Sequence, residues 1–327
     1  MVGFIYLSVF LCLGGFLDDM RVLVTGVAGQ LGYDVVNELN KRGIEEVGVD
    51  RTDFDITDEK ATEDYILKFM PDAVIHCAAY TAVDVAEDNV KTCRMINVDG
   101  TENIAKICAK IGAKMLYIST DYVFGNTCPP TLGGGGPLAV VGVRPHDIND
   151  ETNPLNIYGQ SKLDGELAVK KHLQKHFIVR TSWVFGKNGN NFVKTMLRLG
   201  KEREQLTVVN DQIGSPTYTV DLARLCVDMI LTDKYGTYHG TNEGYCSWAE
   251  FAAEIMKQVD LKCKIVPIST EAYLVSTSQG RGTACGGRVA QRPFNSRLSK
   301  DCLGKNGFER LSNWQDALKR YLEDSNW

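Results

Sequence analysis

The sequence predicts an α/β fold in which a doubly wound parallel sheet is followed by a smaller C-terminal lobe. Two observations predict it. Short apolar runs alternate with helix-length amphipathic stretches up to residue 186, and this alternation is typical of parallel strands joined by crossover helices. Beyond that residue the alternation weakens, and glycine, proline and loop-like stretches become more frequent.

Five apolar runs are the predicted strands, because runs of this length fit strands buried on both faces of a sheet. They are RVLVTG at 21–26, EEVGVD at 45–50, AVIHCAA at 73–79, KMLYIST at 114–120 and HFIVRTSWVF at 176–185. The predicted helices are 33–43, 93–112 and 161–175. Residues 20–186 therefore form the predicted sheet domain, and residues 187–327 mainly the smaller lobe, with some elements returning to the sheet.

Three segments depart from this pattern. Residues 1–19 are apolar, but they lack a basic start and a small-residue cleavage site and are short for a membrane span. We expect a non-native or disordered extension there, and a working export signal is the less favoured alternative. Residues 125–147, rich in glycine and proline, and residues 274–291, which lack periodicity, are predicted surface loops.

The composition indicates an ordinary globular protein. The 327 residues are 44% hydrophobic and 24% charged. A net charge of -5 gives no electrostatic footprint for nucleic acid, although backbone amides can still hold a small anion. The ten cysteines include no C-x-x-C pair, so neither a zinc site nor a disulfide framework is predicted. We expect a reducing, cytoplasmic location without membrane association.

The stretch VTGVAGQLG places Gly26, Gly29 and Gly32 directly after the first predicted strand and before the first helix. Without Cβ atoms the backbone can turn sharply and approach a pyrophosphate, which then faces the helix N-terminus. The residues 20–186 are therefore a predicted Rossmann-type dinucleotide-binding domain. A tight turn without a ligand is the alternative.

The second strand ends at Asp50, which follows the glycine turn at about the distance where an acidic residue meets the adenosine ribose. A carboxylate there favours NAD(H), whereas Arg51 beside it would suit a 2′-phosphate, so both cofactors stay open. Asp55 and Ile56 are expected to frame the adenine ring. The alternative for Asp50 is a surface helix cap.

Small and polar residues follow the third and fourth strands. Ala78 and Ala79 would let a cofactor lie against the backbone, although strand packing explains them equally well. Ser119, Thr120 and Asp121 emerge at the same carboxyl edge, where a hydroxyl can donate to a carbonyl oxygen that gains negative charge. Strand-end capping is the alternative for these hydroxyls.

The stretch NIYGQSKLDGE at 156–166 places Tyr158 and Lys162 four residues apart, on one face of a predicted helix. A free tyrosine has a pKa of about 10, too high for efficient proton exchange near neutrality. A lysine ammonium one turn away would lower that pKa. Tyr158 is therefore the predicted proton donor to a carbonyl, tuned by Lys162; the alternative is that the two are only neighbours on a helix.

Together these motifs resemble those of the extended short-chain dehydrogenase/reductase family and, within it, the dTDP-4-dehydrorhamnose reductases. The resemblance runs from Met20 almost to the end, interrupted only by 125–147 and 274–291. The strings that carry it are GVAGQLG, CAAYTAVDVAE, STDYVF, NPLNIYGQSKLDGE, RTSWVFG, NFVKTMLRL, NDQIGSPT and RPFNSRLSK.

The resemblance implies that NADPH or NADH reduces the 4-keto group of dTDP-4-dehydro-6-deoxy-L-mannose to give dTDP-L-rhamnose. The implied catalytic residues are Thr120, Tyr158 and Lys162. The expected cofactor contacts are Gly26, Gly29, Gln30, Leu31, Gly32, Asp50, Asp55, Ile56, Ala79, Tyr80, Thr81, Tyr158 and Lys162. The implied sugar contacts are Thr120, Asp121 and Trp183. Some members form magnesium-bridged dimers, so Mg²⁺ and a homodimer are implied by the resemblance alone, and no sequence motif predicts a metal site.

Two later residues have competing interpretations. Trp183 would cover an apolar sugar face or act as a core aromatic. Arg292 would pair with the nucleotide diphosphate or lie on the surface. The motifs also leave two other functions open, a nucleotide-sugar epimerase or dehydratase of the same superfamily, and a non-catalytic dinucleotide-binding subunit like the methionine adenosyltransferase beta subunit.

Overall fold

The computed structural model describes residues 20–125, 144–280 and 289–327. Its strands are β1 (Arg21–Thr25), β2 (Glu45–Val49), β3 (Ala73–His76), β4 (Lys114–Thr120), β5 (His176–Thr181), β6 (Val184–Phe185), β7 (Gln205–Val209), β8 (Ile213–Gly214), β9 (Thr217–Tyr218), β10 (Gly236–His239), β11 (Cys246–Ser247), β12 (Lys264–Ile268) and β13 (Asn295–Ser296). Its α-helices are α1 (Gln30–Lys41), α2 (Glu59–Phe69), α3 (Val83–Ala86), α4 (Val90–Arg94), α5 (Thr101–Ile111), α6 (Ile157–His172), α7 (Phe192–Glu202), α8 (Thr219–Ile230), α9 (Trp248–Gln258), α10 (Thr270–Gly280), α11 (Asp301–Lys305) and α12 (Trp314–Asp324). A π-helical stretch (Met95–Gly100) joins α4 to α5, and a 3₁₀ turn (Asp121–Val123) follows β4.

The central sheet has six strands in the order β10-β5-β4-β3-β1-β2, and every neighbouring pair is parallel. The predicted fold class is thereby confirmed. The chain leaves β1 towards β2 on one side and returns to β3 on the other, so the strand order reverses between β1 and β3. Ligands of open α/β sheets bind outside the carboxyl ends of the strands at such a reversal.

Apolar cores cover both faces of the sheet, as the near-continuous apolar strands require. One core joins the sheet to α1 and α8 through side chains such as Val35 and Leu222. The other joins it to α2, α5 and α6 through Ile66, Ile104 and Val169. A separate core lies in the C-terminal lobe, where Phe251 and Tyr321 are fully buried.

The lobe is built from short strands. Pairs form between β7 and β12 and between β6 and β9, and β8 lies between β11 and β13. The strand β10 comes from beyond residue 187 and yet forms the edge of the central sheet beside β5. The division of the chain at residue 186 stays a prediction.

The predicted loop at 274–291 is wrong for its first part, because residues 274–280 belong to α10. The side chains of α10 that the structure describes bury little surface, and Tyr273, Leu274 and Val275 are all exposed. The sequence of this helix therefore shows no amphipathic period. Within 125–147, His146 is buried and forms a parallel bridge with Leu298, so that position is not surface loop. The expectations for 1–19, 126–143 and 281–288 lie outside the described residues.

Within the described ranges, no helix is both long and apolar enough to cross a membrane.

Candidate active site

A crevice of about 710 Å³ opens at the carboxyl edge of β1, β3, β4 and β5. It extends from the glycine turn to the end of β5 and therefore spans the reversal in strand order. Among its lining residues are Gly26, Gly29, Gln30, Leu31, Gly32, Asp50, Asp55, Ile56, Ala79, Thr81, Thr120, Asp121, Tyr158, Lys162 and Trp183. Nearly all the residues expected at a site thus lie along one surface.

The glycine turn is closed too tightly for side chains. Gly26 has a φ of +74°, in the left-handed region that favours glycine, and a Cβ on Gly32 would lie 2.3 Å from the Gly26 carbonyl oxygen. Helix α1 begins directly after Gly29 with neither a side-chain cap nor an acidic residue in its first turn. Its first N–H groups have no helical partners, so they suit the phosphates of a dinucleotide.

The Asp50 carboxylate holds this turn in place. Its Oδ2 accepts a hydrogen bond of 2.8 Å from the Ala28 backbone N–H, and its Oδ1 accepts one of 2.7 Å from Arg51 N–H. Asp50 therefore links the end of β2 to the glycine turn and does not act as a helix cap. It keeps acceptor capacity for a ribose hydroxyl, and the ribose contact itself stays a prediction.

The end of the crevice at which the adenosine is predicted is fixed by local hydrogen bonds. The Asp55 carboxylate accepts from both the backbone N–H and the hydroxyl of Thr57, and these bonds lower the pKa of Asp55. The Ile56 carbonyl accepts from Asn103 on α5. Tyr80 is not among the lining residues, and the Asn97 side chain bonds both its backbone N–H and its backbone carbonyl. The expected cofactor contact of Tyr80 therefore stays a prediction.

Helix α6 begins at Ile157 because the Asn156 side chain caps it. The cap accepts a hydrogen bond of 2.7 Å from Gly159 N–H. A Cβ on Gly159 would lie 2.3 Å from the Tyr122 carbonyl oxygen, so only glycine lets this end of the helix pack against the turn after β4. The first turn of α6 is thus brought beside the end of β4.

This close packing brings Tyr158 and Thr120 together in the crevice. Thr120 lies near enough to lower the pKa of the Tyr158 phenol, and Tyr122 packs edge-on against the Tyr158 ring at a centroid distance of 5.7 Å. Thr120 itself is buried at the end of β4, where its hydroxyl donates to Asp121 Oδ1 at 3.0 Å. The two hydroxyls are therefore placed to reach one ligand oxygen.

The predicted lowering of the Tyr158 pKa is wrong for this structure. Part of the side chain is open to the crevice, but protein atoms surround most of it, and burial raises the pKa of Tyr158 well above its ordinary value. The nearby Asp121 carboxyl adds to the rise, and Lys162 is not among the groups that lower it. The phenol is accordingly protonated at neutral pH.

The Lys162 side chain is buried, with 3% of its surface exposed, and its ammonium lies 4.0 Å from the centre of the Tyr117 ring. Burial lowers the pKa of Lys162 to about 7, while Glu166 opposes this change. The Lys162 amine is therefore only partly protonated at neutral pH, which explains why it has little influence on the pKa of Tyr158 here.

A buried ion pair lies behind Lys162. Glu166 is one helical turn further along α6 and is fully buried. Its two carboxylate oxygens accept from Arg180 Nε at 2.8 Å and Arg180 Nη2 at 2.7 Å, and Oε1 also accepts from the Ser119 hydroxyl at 2.6 Å. These bonds tie α6 to β4 and β5 directly beneath the reacting groups.

Asp121 contributes a carboxyl group that is almost completely buried beside Thr120. Burial raises its pKa to about 6. Its Oδ2 atom has no hydrogen-bond partner of ordinary geometry in the described part of the chain, although Ser296 is near enough to lower the pKa. This oxygen is therefore available to a ligand.

Trp183 combines features of both of its predicted roles. It lines the crevice, and its ring stacks on Trp248 at a centroid distance of 3.7 Å. Its φ of +49° is rare for a bulky residue, and such strain persists only where the surroundings enforce it. The aromatic stack and the close approach of Gly214 enforce it here.

Arg292 is not among the residues that line the crevice. Its guanidinium pairs with Asp84 at 2.8 Å and also interacts with Tyr122, which does line the crevice. A contact with a diphosphate therefore stays a prediction, and it would require Arg292 to share or leave its bond with Asp84.

Sequence reasoning missed three groups at this site. They are Thr181 at the end of β5, the Glu166–Arg180 pair, and Asn188, whose amide donates to the Ala28 carbonyl of the glycine turn at 2.8 Å. Thr181 could have been found by applying the strand-end rule to β5 as it was to β4. The other two depend on long-range packing that no local pattern indicates.

Across residues 20–125, 144–280 and 289–327, no group of three or more His, Cys, Asp or Glu side chains is placed to hold a metal ion. The structure gives no support to the Mg²⁺ that the resemblance implied.

Residues 20–326 match the family model described as RmlD substrate binding domain. The spore coat polysaccharide biosynthesis protein SpsK of Bacillus subtilis (strain 168) is 36% identical over 304 residues, which are 93% of this chain and 97% of that protein. The dTDP-4-dehydrorhamnose reductase of Escherichia coli (strain K12) is 35% identical over 314 residues, 93% of this chain and 98% of the relative.

Solved structures of dTDP-4-dehydrorhamnose reductases are also similar to this chain. A dTDP-4-dehydrorhamnose reductase from Clostridium acetobutylicum is 37% identical with a TM-score of 0.84, over 94% of this chain and 100% of that chain. One from Bacillus anthracis, in complex with NADP, is 41% identical with a TM-score of 0.82, over 93% of this chain and 99% of that chain.

Proposed function

The chain belongs to the RmlD substrate binding domain family, and from this premise we propose that it is an NADPH-dependent dTDP-4-dehydrorhamnose reductase. One observation carries the proposal. The side chains of Thr120 and Tyr158 lie near each other at the carboxyl edge of the sheet, and Lys162 lines the same crevice as the glycine turn. The relatives' names supply the substrate, a dTDP-linked 4-keto sugar.

The crevice fits a nicotinamide dinucleotide at its phosphate end. The glycine turn excludes side chains, and the first turn of α1 presents N–H groups without an acidic neighbour. Asp50 and Asn188 hold that turn from two sides. When bound, the dinucleotide supplies the hydride that reduces the 4-keto carbon. Between the two cofactors, we propose NADPH because a similar structure holds NADP and Arg51 lines the crevice beside Asp50.

Tyr158 donates the proton in this proposal. Burial keeps its phenol protonated before the reaction, and the hydroxyl can hydrogen-bond the sugar carbonyl oxygen from the start. As that oxygen gains negative charge, the phenol proton passes to it and the product hydroxyl is formed. Thr120 stabilises the developing charge by donating a second hydrogen bond, for which its hydroxyl proton turns from Asp121 Oδ1 to the sugar oxygen.

Lys162 stabilises the phenolate that is left. A positive charge near the phenolate lowers the free energy of that state, and it is most effective in a site that excludes water. Glu166, one turn away, favours the charged form of Lys162. Tuning of Tyr158 by Lys162 is thus proposed for the reacting complex, in contrast to the ligand-free state.

The experiment follows NADPH absorbance after the addition of dTDP-4-dehydrorhamnose, with NADH in a parallel series. We expect one NADPH to be consumed for each dTDP-L-rhamnose formed, and a lower kcat/KM with NADH. Protein that copurifies with tightly bound NAD⁺ and isomerises nucleotide sugars without consuming NADPH would instead be an epimerase. Protein that binds the dinucleotide and converts no sugar would contradict any enzymatic role.

A further inference from the structure

One buried hydroxyl at the edge of the crevice is left unused by the site as described. Thr181 ends β5, has 5% of its surface exposed and lines the crevice. Its Oγ1 has no hydrogen-bond partner in the described part of the chain. A buried hydroxyl without a partner is destabilising, so a native structure that retains one requires an explanation.

The neighbouring hydroxyls show that this is a particular property of Thr181. At the same edge, Thr25 bonds to His76 at 2.7 Å, Ser119 donates to Glu166, Thr120 donates to Asp121, and Ser182 donates to the Ser215 carbonyl at 2.8 Å. Each of these hydroxyls is satisfied within the protein. Thr181 therefore differs from these described hydroxyls at the ends of β1, β4 and β5.

The position of Thr181 is fixed relative to the reacting groups. Strands β4 and β5 are parallel, and Thr181 is paired in register with Thr120. Side chains paired in this way point to the same face of the sheet, and their strands are separated by about 4.8 Å. The Thr181 backbone thus lies one strand spacing from Thr120, two residues before Trp183 in the chain.

The side chain is also suited to stay there. Threonine is stiff about χ1 because its Cβ is branched, and its hydroxyl both donates and accepts. Next to Thr120 in the chain, Asp121 Oδ2 is a buried acceptor without a partner of ordinary geometry among the described residues. A 4-keto-6-deoxy sugar whose carbonyl oxygen faces Tyr158 carries one hydroxyl next to that carbonyl, on C3, because C5 bears the methyl group and the ring oxygen.

We propose that the Thr181 hydroxyl hydrogen-bonds a sugar hydroxyl adjacent to the carbonyl that Tyr158 protonates, and so contributes to selection of the sugar. The inference rests on the proposed function and deepens it. The carboxamide of a nicotinamide ring also has groups that bind a hydroxyl. We favour the sugar because Thr181 is paired in register with Thr120, the proposed donor to the carbonyl oxygen, and both line the crevice.

The test compares Thr181→Val, which keeps the shape and removes the hydroxyl, with the matched control Thr101→Val. Thr101 is buried outside the crevice, and its hydroxyl donates to the Asn97 carbonyl at 2.9 Å and bonds to His76. Isothermal titration calorimetry with dTDP-L-rhamnose, with dTDP and with NADPH separates the sugar, nucleotide and cofactor contributions. Urea unfolding measures stability.

For Thr181→Val we expect an unchanged or raised unfolding midpoint, because no internal bond is lost. Affinity for dTDP-L-rhamnose and kcat/KM for the keto sugar should each fall about tenfold, while the Kd values of dTDP and NADPH stay the same. Thr101→Val should show the reverse pattern, a lower midpoint with unchanged binding.

Three results would overturn the inference. One is sugar affinity within about twofold of the wild type, less than a hydrogen bond contributes. Another is a loss confined to NADPH, which would assign Thr181 to the nicotinamide. The third is a midpoint lowered as much as in Thr101→Val, which would reveal an internal partner. A wild-type protein that binds dTDP-L-rhamnose without converting the keto sugar would reject the proposed function alone, since the calorimetry still tests Thr181.

Discussion

Replacing Glu166 by glutamine tests the buried ion pair that supports helix α6, which carries Tyr158 and Lys162. In the wild type, both carboxylate oxygens of Glu166 accept from Arg180, and Ser119 donates to one of them. A glutamine keeps the volume but offers one acceptor oxygen and turns an amide NH₂ towards the guanidinium. The Arg180 charge would then stay buried without a carboxylate.

The expected magnitude follows from the burial of both partners. Glu166 is fully buried and Arg180 has 3% of its surface exposed, so water cannot replace the lost bonds. Breaking a buried pair by removing one partner costs about 3–5 kcal/mol. The variant should also be less active, because Glu166 favours the charged form of Lys162.

The assay is urea unfolding followed by far-ultraviolet circular dichroism, with Glu102→Gln as the control. Glu102 also contacts α6, through His172 at 2.6 Å, but its side chain is 26% exposed. Exposed pairs contribute about 0–1 kcal/mol, so the control should shift the midpoint little at an unchanged slope. Equal midpoint shifts in the two variants would refute the account of the buried pair.

Two further predictions concern the cofactor turn and the buried lysine. Gly32→Ala should weaken NADPH binding at least about tenfold, because the new Cβ would lie 2.3 Å from the Gly26 carbonyl oxygen and overpacking costs about 1–3 kcal/mol. The control Gly304→Ala, whose Cβ would have no atom within 4 Å, should bind NADPH normally. Burial lowers the pKa of Lys162 to about 7 from 10.5, so between these pH values the unfolded chain binds the extra proton and folding stability rises with pH. Lys162→Met should therefore be more stable than the wild type by the largest amount at pH 7 and by the smallest amount near pH 10. A difference in unfolding midpoint that does not change with pH would contradict the lowered pKa of the buried Lys162.

The sequence predicts the first half of the fold well because its signals there are local. Apolar runs and a glycine turn are each complete within a few residues, and they locate β1 to β5 and the start of α1. The strand β10 has only four residues and is recognisable as part of the main sheet only through its pairing with β5. Helix α10 escapes detection because a helix that buries little has no apolar period.

At the candidate site, too, local motifs predict some residues, whereas properties that depend on tertiary packing are not predicted. Tyr158 and Thr120 follow from motifs at strand ends and helix starts. The direction of the Tyr158 pKa shift does not follow from such motifs, because it depends on how many protein atoms surround the phenol and on the carboxyl of Asp121. The partner of Arg292 is equally unpredictable, since Asp84 lies more than two hundred residues away in the sequence. Electrostatics at this site is thus a property of tertiary packing.

The most direct measurement is the single-turnover rate of NADPH oxidation by Tyr158→Phe with saturating dTDP-4-dehydrorhamnose. This change removes the phenol hydroxyl and leaves the ring that packs against Tyr122. We predict a rate about 10²–10⁴-fold below the wild type. A variant that reduces the sugar at the wild-type rate would contradict the assignment of Tyr158 as the proton donor.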